Sequence, residues 1–352
     1  MSVHEPRFVV DVHQHWLDLE AVRALGGSAF RKVDESSWVT ESQGVCSLIH
    51  RDYYDIDLAN RVNAAAGVDL RIILPSMEVV ALSTTFGLPM LEASKIVHEA
   101  NARLVDAHPG RLVTLASVSP FEAKDLVEAE RAINEFGFKG LCLDTSWAGR
   151  FFDTEDTYPY FEFAEANGYP IFLHPPQLPY GYPIMSKWRL EEVAGRPADT
   201  GMSVARMIFS GLLDRFPALR IVLAHMGGTT ATILGRLDFG HRLGYHGLPP
   251  DMHGRNALKP SEYMRRNFYV DTMGFNLPML RAAAEVFGLD RMVFGSDYGP
   301  VPISPKEHID LVDQLTTDAD ERDAIFWRTA NMLFDLRLDA VISRTGGNDR
   351  DQ

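Results

Sequence analysis

Phe8-Val9-Val10-Asp11-Val12-His13-Gln14-His15 is the stretch that decides the reading of this chain. An apolar run passes into a carboxylate and two histidines. Side chains alternate across a β-strand, so His13 and His15 share a face while Val12 and Gln14 take the other. Two imidazoles on one face are placed to grip a single cation. The pattern recurs. His174 follows Tyr169-Pro170-Ile171-Phe172-Leu173, His225 follows Ile221-Val222-Leu223-Ala224, and Asp297 follows Met292-Val293-Phe294-Gly295-Ser296. In a parallel α/β barrel all strand C-termini converge on one mouth, where residues distant in sequence meet. Three imidazoles and a carboxylate make a divalent-metal site, and a further histidine beside it can move protons.

Each residue alone has a plainer reading. A lone buried histidine is usually a hydrogen-bonded core residue, and an aspartate in Gly-Ser-Asp-Tyr-Gly-Pro is often a turn former. The joint placement at strand ends is what favours a site. His98, His108, His241, His246, His253 and His308 lie in helical patterns or polar loops and read as surface or structural residues.

Outward from these anchors, apolar runs alternate with amphipathic segments, the signature of a parallel sheet. Strand candidates fall at 7–12, 70–75, 112–118, 140–144, 169–174, 220–225, 268–271 and 291–296. About eight strands close a barrel. Helical patterns occupy 90–108, 123–136, 158–167 and 203–215, and Ser304-Pro305 with Glu307 marks another helix start. The expected architecture is a (β/α)8 TIM barrel over residues 1–340. Residues 16–54 form a long irregular insertion over its mouth, and 341–352 a polar C-terminal tail.

Composition bounds the partners. The 352 residues carry a net charge of −14 and no basic run, which argues against a nucleic-acid interface. Cys46 and Cys142 are the only cysteines, so there is no disulfide framework and His and Asp are the ligand pool. Residues 1–7 lack a signal-peptide apolar region, and no stretch of about 18 apolar residues could span a membrane. The expectation is a soluble cytoplasmic protein acting on a small molecule, and an acidic substrate would need local positive charge.

These residues resemble the amidohydrolase superfamily, and within it the branch typified by 2-amino-3-carboxymuconate-6-semialdehyde decarboxylase. Asp11-Val12-His13-Gln14-His15 is similar to the first-strand motif and Phe172-Leu173-His174-Pro175 to the fifth. The stretch Gly195-Arg196-Pro197-Ala198-Asp199-Thr200 through Ala224-His225-Met226-Gly227-Gly228 resembles the segment leading to the sixth-strand histidine. Gly295-Ser296-Asp297-Tyr298 resembles the eighth-strand motif, and Asn331 with Leu333-Phe334 the close of the last helix. The resemblance implies that His13, His15, His174 and Asp297 hold one divalent ion, most often zinc with manganese the other candidate. It makes His225 the acid/base residue, with Asp297 sharing the proton handling. No lysine lies within 140–144, so one metal rather than two is expected.

The same resemblance implies a homodimer or higher oligomer in which Arg236 reaches the neighbour's substrate carboxylate and Trp188 lines that pocket. An ungapped alignment puts Ser47 where the typical enzyme has a carboxylate-binding arginine, leaving His50 or Arg51 to take over. The implied activity is metal-dependent, nonoxidative decarboxylation of an unsaturated or aromatic acid, of carboxymuconate semialdehyde or hydroxybenzoate type. The alternative is metal-dependent hydrolysis of a C–C, ester, lactone or amide bond at the same site.

Overall fold

The computed structural model describes residues 7–339 apart from 27–29, 43–44, 148 and 244–248, together with Ile342. His246 and the 341–352 tail, save Ile342, lie outside the described residues. Among the described residues there are eleven strands: β1 (Val10–Gln14), β2 (Phe30–Lys32), β3 (Trp38–Ser42), β4 (Val45–Ile49), β5 (Leu70–Ile73), β6 (Leu112–Thr114), β7 (Leu141–Asp144), β8 (Ile171–His174), β9 (Ile221–Leu223), β10 (Phe268–Asp271) and β11 (Met292–Val293).

Eight of these pair in parallel, as the orders β1-β5-β6 and β7-β8-β9-β10-β11. Backbone hydrogen bonds cross both gaps between the two sheets. Ala116 N donates to Gly140 O at 2.9 Å and Cys142 N to Ala116 O at 2.8 Å; at the other seam Val12 N donates to Phe294 O at 2.9 Å and Asp297 N to His13 O at 2.7 Å. The eight strands therefore form a ring, with helices following the strands, as expected of a (β/α)8 barrel.

Both faces of the barrel strands are buried, which is why they read as continuous apolar runs. Ile72, Cys142, Phe172, Val222 and Val293 belong to one packed cluster. Their neighbours one step along, such as Leu141, Leu143, Leu173 and Ile221, belong to another that includes helix residues Ala129, Ala132 and Phe161. The β1–β5 register slips between Asp11 and Gln14. A bulge of this kind re-aims side chains, and here it falls where the two histidines leave the strand.

Two expectations need correction. The described residues of the 16–54 insertion are regular rather than irregular: they hold a helix at Leu19–Leu25 and the antiparallel sheet β2-β3-β4, with Phe30 stacked on Trp38 at 4.7 Å between ring centroids. Its strands are short and mix Thr, Glu and Ser with apolar residues, so no apolar run announces them. The helix expected at 203–215 starts earlier, at Arg196, and spans Arg196–Phe209 before a short Leu212–Arg215 helix. Pro197 looks like a breaker, but proline is compatible with a first helical turn.

Asp11 pins the seam between the first and last barrel strands. Its Oδ1 accepts from His13 N and Ser296 N, both at 3.1 Å, and its Oδ2 from Gln14 Nε2 at 2.7 Å and Ser296 Oγ at 2.5 Å. Burial pushes its carboxyl up to about 6, although these donors oppose the shift. Asp11→Ala strands several buried donors at once and is expected to cost roughly 2–4 kcal/mol of stability. The measurement is urea unfolding with chelator in both samples. A loss below about 0.5 kcal/mol, the range of a neutral surface change, would contradict this role.

Candidate metal centre

The barrel mouth gathers the histidines around one carboxylate. Asp297 Oδ1 lies 3.3 Å from His13 Nε2 and 3.4 Å from His15 Nε2, while Oδ2 lies 3.1 Å from His225 Nε2. The His174 ring centroid is 4.7 Å from that of His15, 5.0 Å from His13 and 5.3 Å from His225. One ligand atom from each of His13, His174, His225 and Asp297 lies within 4.8 Å of all the others. His15 joins the group through its contacts with Asp297 and His174. His13, His15, His174 and Asp297 are buried, and the His225 side chain is 16% exposed.

The backbone turns sharply to deliver two of these groups. Asp297 sits at φ 58°, and His225 and Met226 both at φ 56°. Non-glycine residues in the left-handed region are uncommon and cost of order 1 kcal/mol each. Strain of that size persists where surrounding contacts over-determine it, and here Met226 N is held by Asp271 Oδ1 at 3.0 Å.

A further layer orients the rings. His13 Nδ1 contacts Asp271 Oδ2 at 2.5 Å, and His15 Nδ1 lies 3.3 Å from Glu78 Oε1, which also accepts from Tyr53 OH at 2.5 Å. With the Nδ1 edges engaged, the Nε2 atoms face inward, and metal-binding histidines are commonly oriented this way. Neither Nε2 makes an aligned hydrogen bond, and both His174 ring nitrogens are buried without a partner. Buried polar atoms are rarely left so. Unpartnered imidazole nitrogens around a carboxylate are the donor set a divalent cation requires, so the residues fit one.

Burial and the neighbouring charges set the protonation of the cluster. Burial holds the His174 imidazolium well below its usual range, and His15, His13 and His225 push the same way, leaving a neutral ring with one nitrogen lone pair free. Burial alone would raise Asp297, but His13 and His225 outweigh it and hold the carboxyl well below the usual range. Burial pulls His13 down, yet Asp297 and Asp271 carry it up to about 10.

The remaining sequence candidates fall differently. A cavity of about 820 Å³, including its open mouth, lies beneath the insertion and is lined by Thr40, Leu48 and Ile49 together with Leu17, Tyr53, Met77, Glu78, Gln177, Arg196 and Pro300. Neither Arg51 nor His50 lines it. Arg51 is exposed and its Nε is taken by Asp55 at 2.6 Å, while His50 Nε2 lies 3.0 Å from Pro300 O. Arg236 is exposed on the Thr230–Leu243 helix and Trp188 is 83% exposed, so neither reaches the cavity of its own chain. His308, assigned a structural or surface role from its helical pattern, is buried against Phe275.

Residues missed from sequence include Asp271, Glu78, Tyr53 and Asp144. Asp271 and Asp144 end strands in the same way as the ligands, so a stricter scan of strand ends would find them. Glu78 and Tyr53 leave no such mark. Asp144 ends β7, the fourth barrel strand, and neither of its oxygens makes an aligned hydrogen bond.

Burial pushes the Asp144 carboxyl up to about 8, with Glu78 and Asp199 acting in the same sense. An aspartate in the unfolded chain titrates near about 3.9. Between about pH 4 and 8 the folded chain therefore keeps a proton that the unfolded chain releases, and stability falls as pH rises through that window. Asp144→Asn removes this loss. In chelated protein the variant's stability relative to the parent should rise steadily from pH 4 to pH 8, read by urea unfolding; a pH-independent difference would contradict it.

Comparison with known proteins agrees with this geometry. A family model described as amidohydrolase matches residues 10–336. The 2-amino-3-carboxymuconate-6-semialdehyde decarboxylase of Dictyostelium discoideum is 25% identical, covering 82% of this chain and 74% of the relative. The gamma-resorcylate decarboxylase of Polaromonas sp. JS666 is 28% identical, covering 76% of this chain and 82% of the relative. Among solved structures, 5-carboxyvanillate decarboxylase from Novosphingobium aromaticivorans, complexed with manganese and 4-hydroxy-3-methoxy-5-nitrobenzoic acid, superposes with a TM-score of 0.76 at 20% identity, covering 94% of this chain and 96% of the other. That likeness establishes the shared fold. The match of the family model over nearly the whole chain, on a barrel whose mouth holds a histidine–aspartate cluster, means that this protein belongs to the amidohydrolase family.

Proposed function

We propose that this chain is a metal-dependent, nonoxidative decarboxylase of an aromatic or unsaturated carboxylic acid. The observation that carries the reading is the buried cage of unpartnered imidazole nitrogens around Asp297, set in an amidohydrolase barrel whose curated relatives are decarboxylases of such acids. In this reading His13, His15, His174 and Asp297 hold one divalent ion. The imidazole-rich donor set favours zinc, and manganese, present in the related structure, is the competitor.

A bound divalent ion would supply Lewis acidity, polarising a substrate oxygen. The protein's own part is proton delivery. His225 is the partly exposed member of the cluster and hydrogen-bonds Asp297, so it can face substrate while the carboxylate orients it. A histidine is suited to proton exchange near neutral pH. The proton goes to the carbon bearing the carboxylate, which becomes tetrahedral. The bond to the carboxylate carbon then breaks, its electron pair restores the conjugated system, and carbon dioxide leaves. The test is carbon dioxide release from a panel of hydroxybenzoates and carboxymuconates by the metal-loaded protein. Cleaved product without carbon dioxide would assign hydrolysis instead.

Two variants separate the roles. His174→Ala should lose metal and turnover together. His225→Asn should keep the metal and cut turnover by roughly 10²–10⁴-fold, the usual worth of general acid–base catalysis. Metal loss in His225→Asn, by elemental analysis, would make His225 a ligand.

The reading extends to a homodimer, or a multiple of one, in which Arg236 of one copy serves the other's substrate carboxylate. Its exposure on the Thr230–Leu243 helix supports this. Mixing inactive His225→Asn subunits with inactive Arg236→Ala subunits should restore activity, because each heterodimer then contains one intact site. Heterodimers without recovery would mean that the arginine acts within its own chain or only structurally.

A further inference from the structure

In the decarboxylase reading an acidic substrate uses the cavity beside the cluster, whose wall already includes Glu78 and Glu192, in a chain of net charge −14. Positive charge on that wall comes from two arginines. Arg189 is exposed and paired with Glu192. Arg196 differs: among the described residues it forms no ion pair and no side-chain hydrogen bond, and its Nε is buried without a partner. A guanidinium presents five donors in a planar fork suited to a carboxylate; Arg196 is half-buried, and its one fully buried donor, Nε, is unused at a cost.

The position of Arg196 is built. It opens the Arg196–Phe209 helix directly after a π-helical turn at Glu191–Gly195. Asp199, buried one turn on, accepts from Thr145 Oγ1 at 2.5 Å, Ser146 Oγ at 2.9 Å and Tyr180 N at 2.7 Å. These bonds lock the helix to the loops after the fourth and fifth barrel strands. At Gly195 a Cβ would meet Pro179 Cγ at 2.7 Å and Met185 Sδ at 2.8 Å, so the chain beside Arg196 packs closely on the loop after the fifth barrel strand. The charge of Arg196 acts on Tyr53 and Asp144, and Tyr53 bonds Glu78, which contacts His15. Glu78 lines the cavity with Arg196 and contacts His15 at 3.3 Å, so one wall residue links the arginine's cavity to the histidine–aspartate cluster behind it.

We propose that Arg196 is the anion anchor of this cavity and that it holds a second anionic oxygen group of the substrate, a carboxylate or phenolate that remains in the product. The choice of the retained group rests on the decarboxylase reading. A departing carboxylate becomes neutral carbon dioxide, so an ion pair to it is stronger in the ground state than in the transition state and opposes the reaction. A retained anion keeps its charge throughout, and the same ion pair binds it without that penalty. The preferred substrate is therefore an aromatic or conjugated acid with two anionic groups.

The test is calorimetric binding to the metal-loaded protein, with benzoate as the single anion and isophthalate and terephthalate as the paired ones. At least one dicarboxylate should bind roughly 10–100-fold tighter than benzoate, the range of a charge-assisted bond. Arg196→Gln, with metal content and melting temperature unchanged, should bring the two within about twofold, and Arg196→Lys should keep part of the preference because an ammonium is charged but not forked. No preference in the parent protein, including no binding of any of the three, overturns the anchor. So does a preference that survives Arg196→Gln. If that variant fails to fold, Arg196→Lys decides, and an undiminished preference there overturns the proposal. Because binding is read without turnover, a preference that depends on Arg196 supports the anchor even where no acid is decarboxylated.

Discussion

A carboxylate buried among imidazoles is the constraint on which the barrel mouth depends. Asp297 is nearly inaccessible, yet three histidine nitrogens lie 3.1–3.4 Å from its oxygens. A buried charge costs several kcal/mol unless it is compensated, so the histidines must arrive at fixed positions, and they come from three different barrel strands or strand ends. His13 and His15 leave β1, His174 ends β8, and His225 follows β9. The ring of strands is what makes that convergence cheap in geometry, because parallel strands end on the same side. The seam bonds joining Val12, His13, Phe294 and Asp297 then fix the carboxylate against the first pair of rings.

The constraint reaches outward. Asp271 and Glu78 occupy the Nδ1 edges of His13 and His15, so the inward-facing nitrogens meet Asp297 without an aligned hydrogen bond. Glu78 is itself tied to Tyr53, which stands just after the inserted sheet. The inserted segment and the orientation of a cluster histidine are thereby coupled through one carboxylate. Asp271 does the same for the sixth strand, since its other oxygen holds Met226 beside His225.

Much of this was legible in the sequence because barrel strands buried on both faces leave apolar runs, and the ligand types stand at their ends. His13, His15, His174, His225 and Asp297 meet as that pattern implies. Boundaries were less legible: β11 keeps only Met292–Val293 of the run at 291–296, since the chain turns out of the ladder to present Asp297. The insertion was misread because its three strands are short and partly exposed. Arg51 looked available in the first loop, but its neighbour Asp55 takes its charge at short range. Glu78 and Arg196 act through tertiary placement, which no periodicity records.

The most direct test of the central claim is the anomalous-diffraction map of crystals soaked in a manganese salt. One peak per chain, inside the cage and bound by His13, His15, His174 and Asp297 with His225 outside the coordination shell, is the predicted result. No peak there, two peaks, or a peak coordinated by His225 in place of His15 would contradict the account.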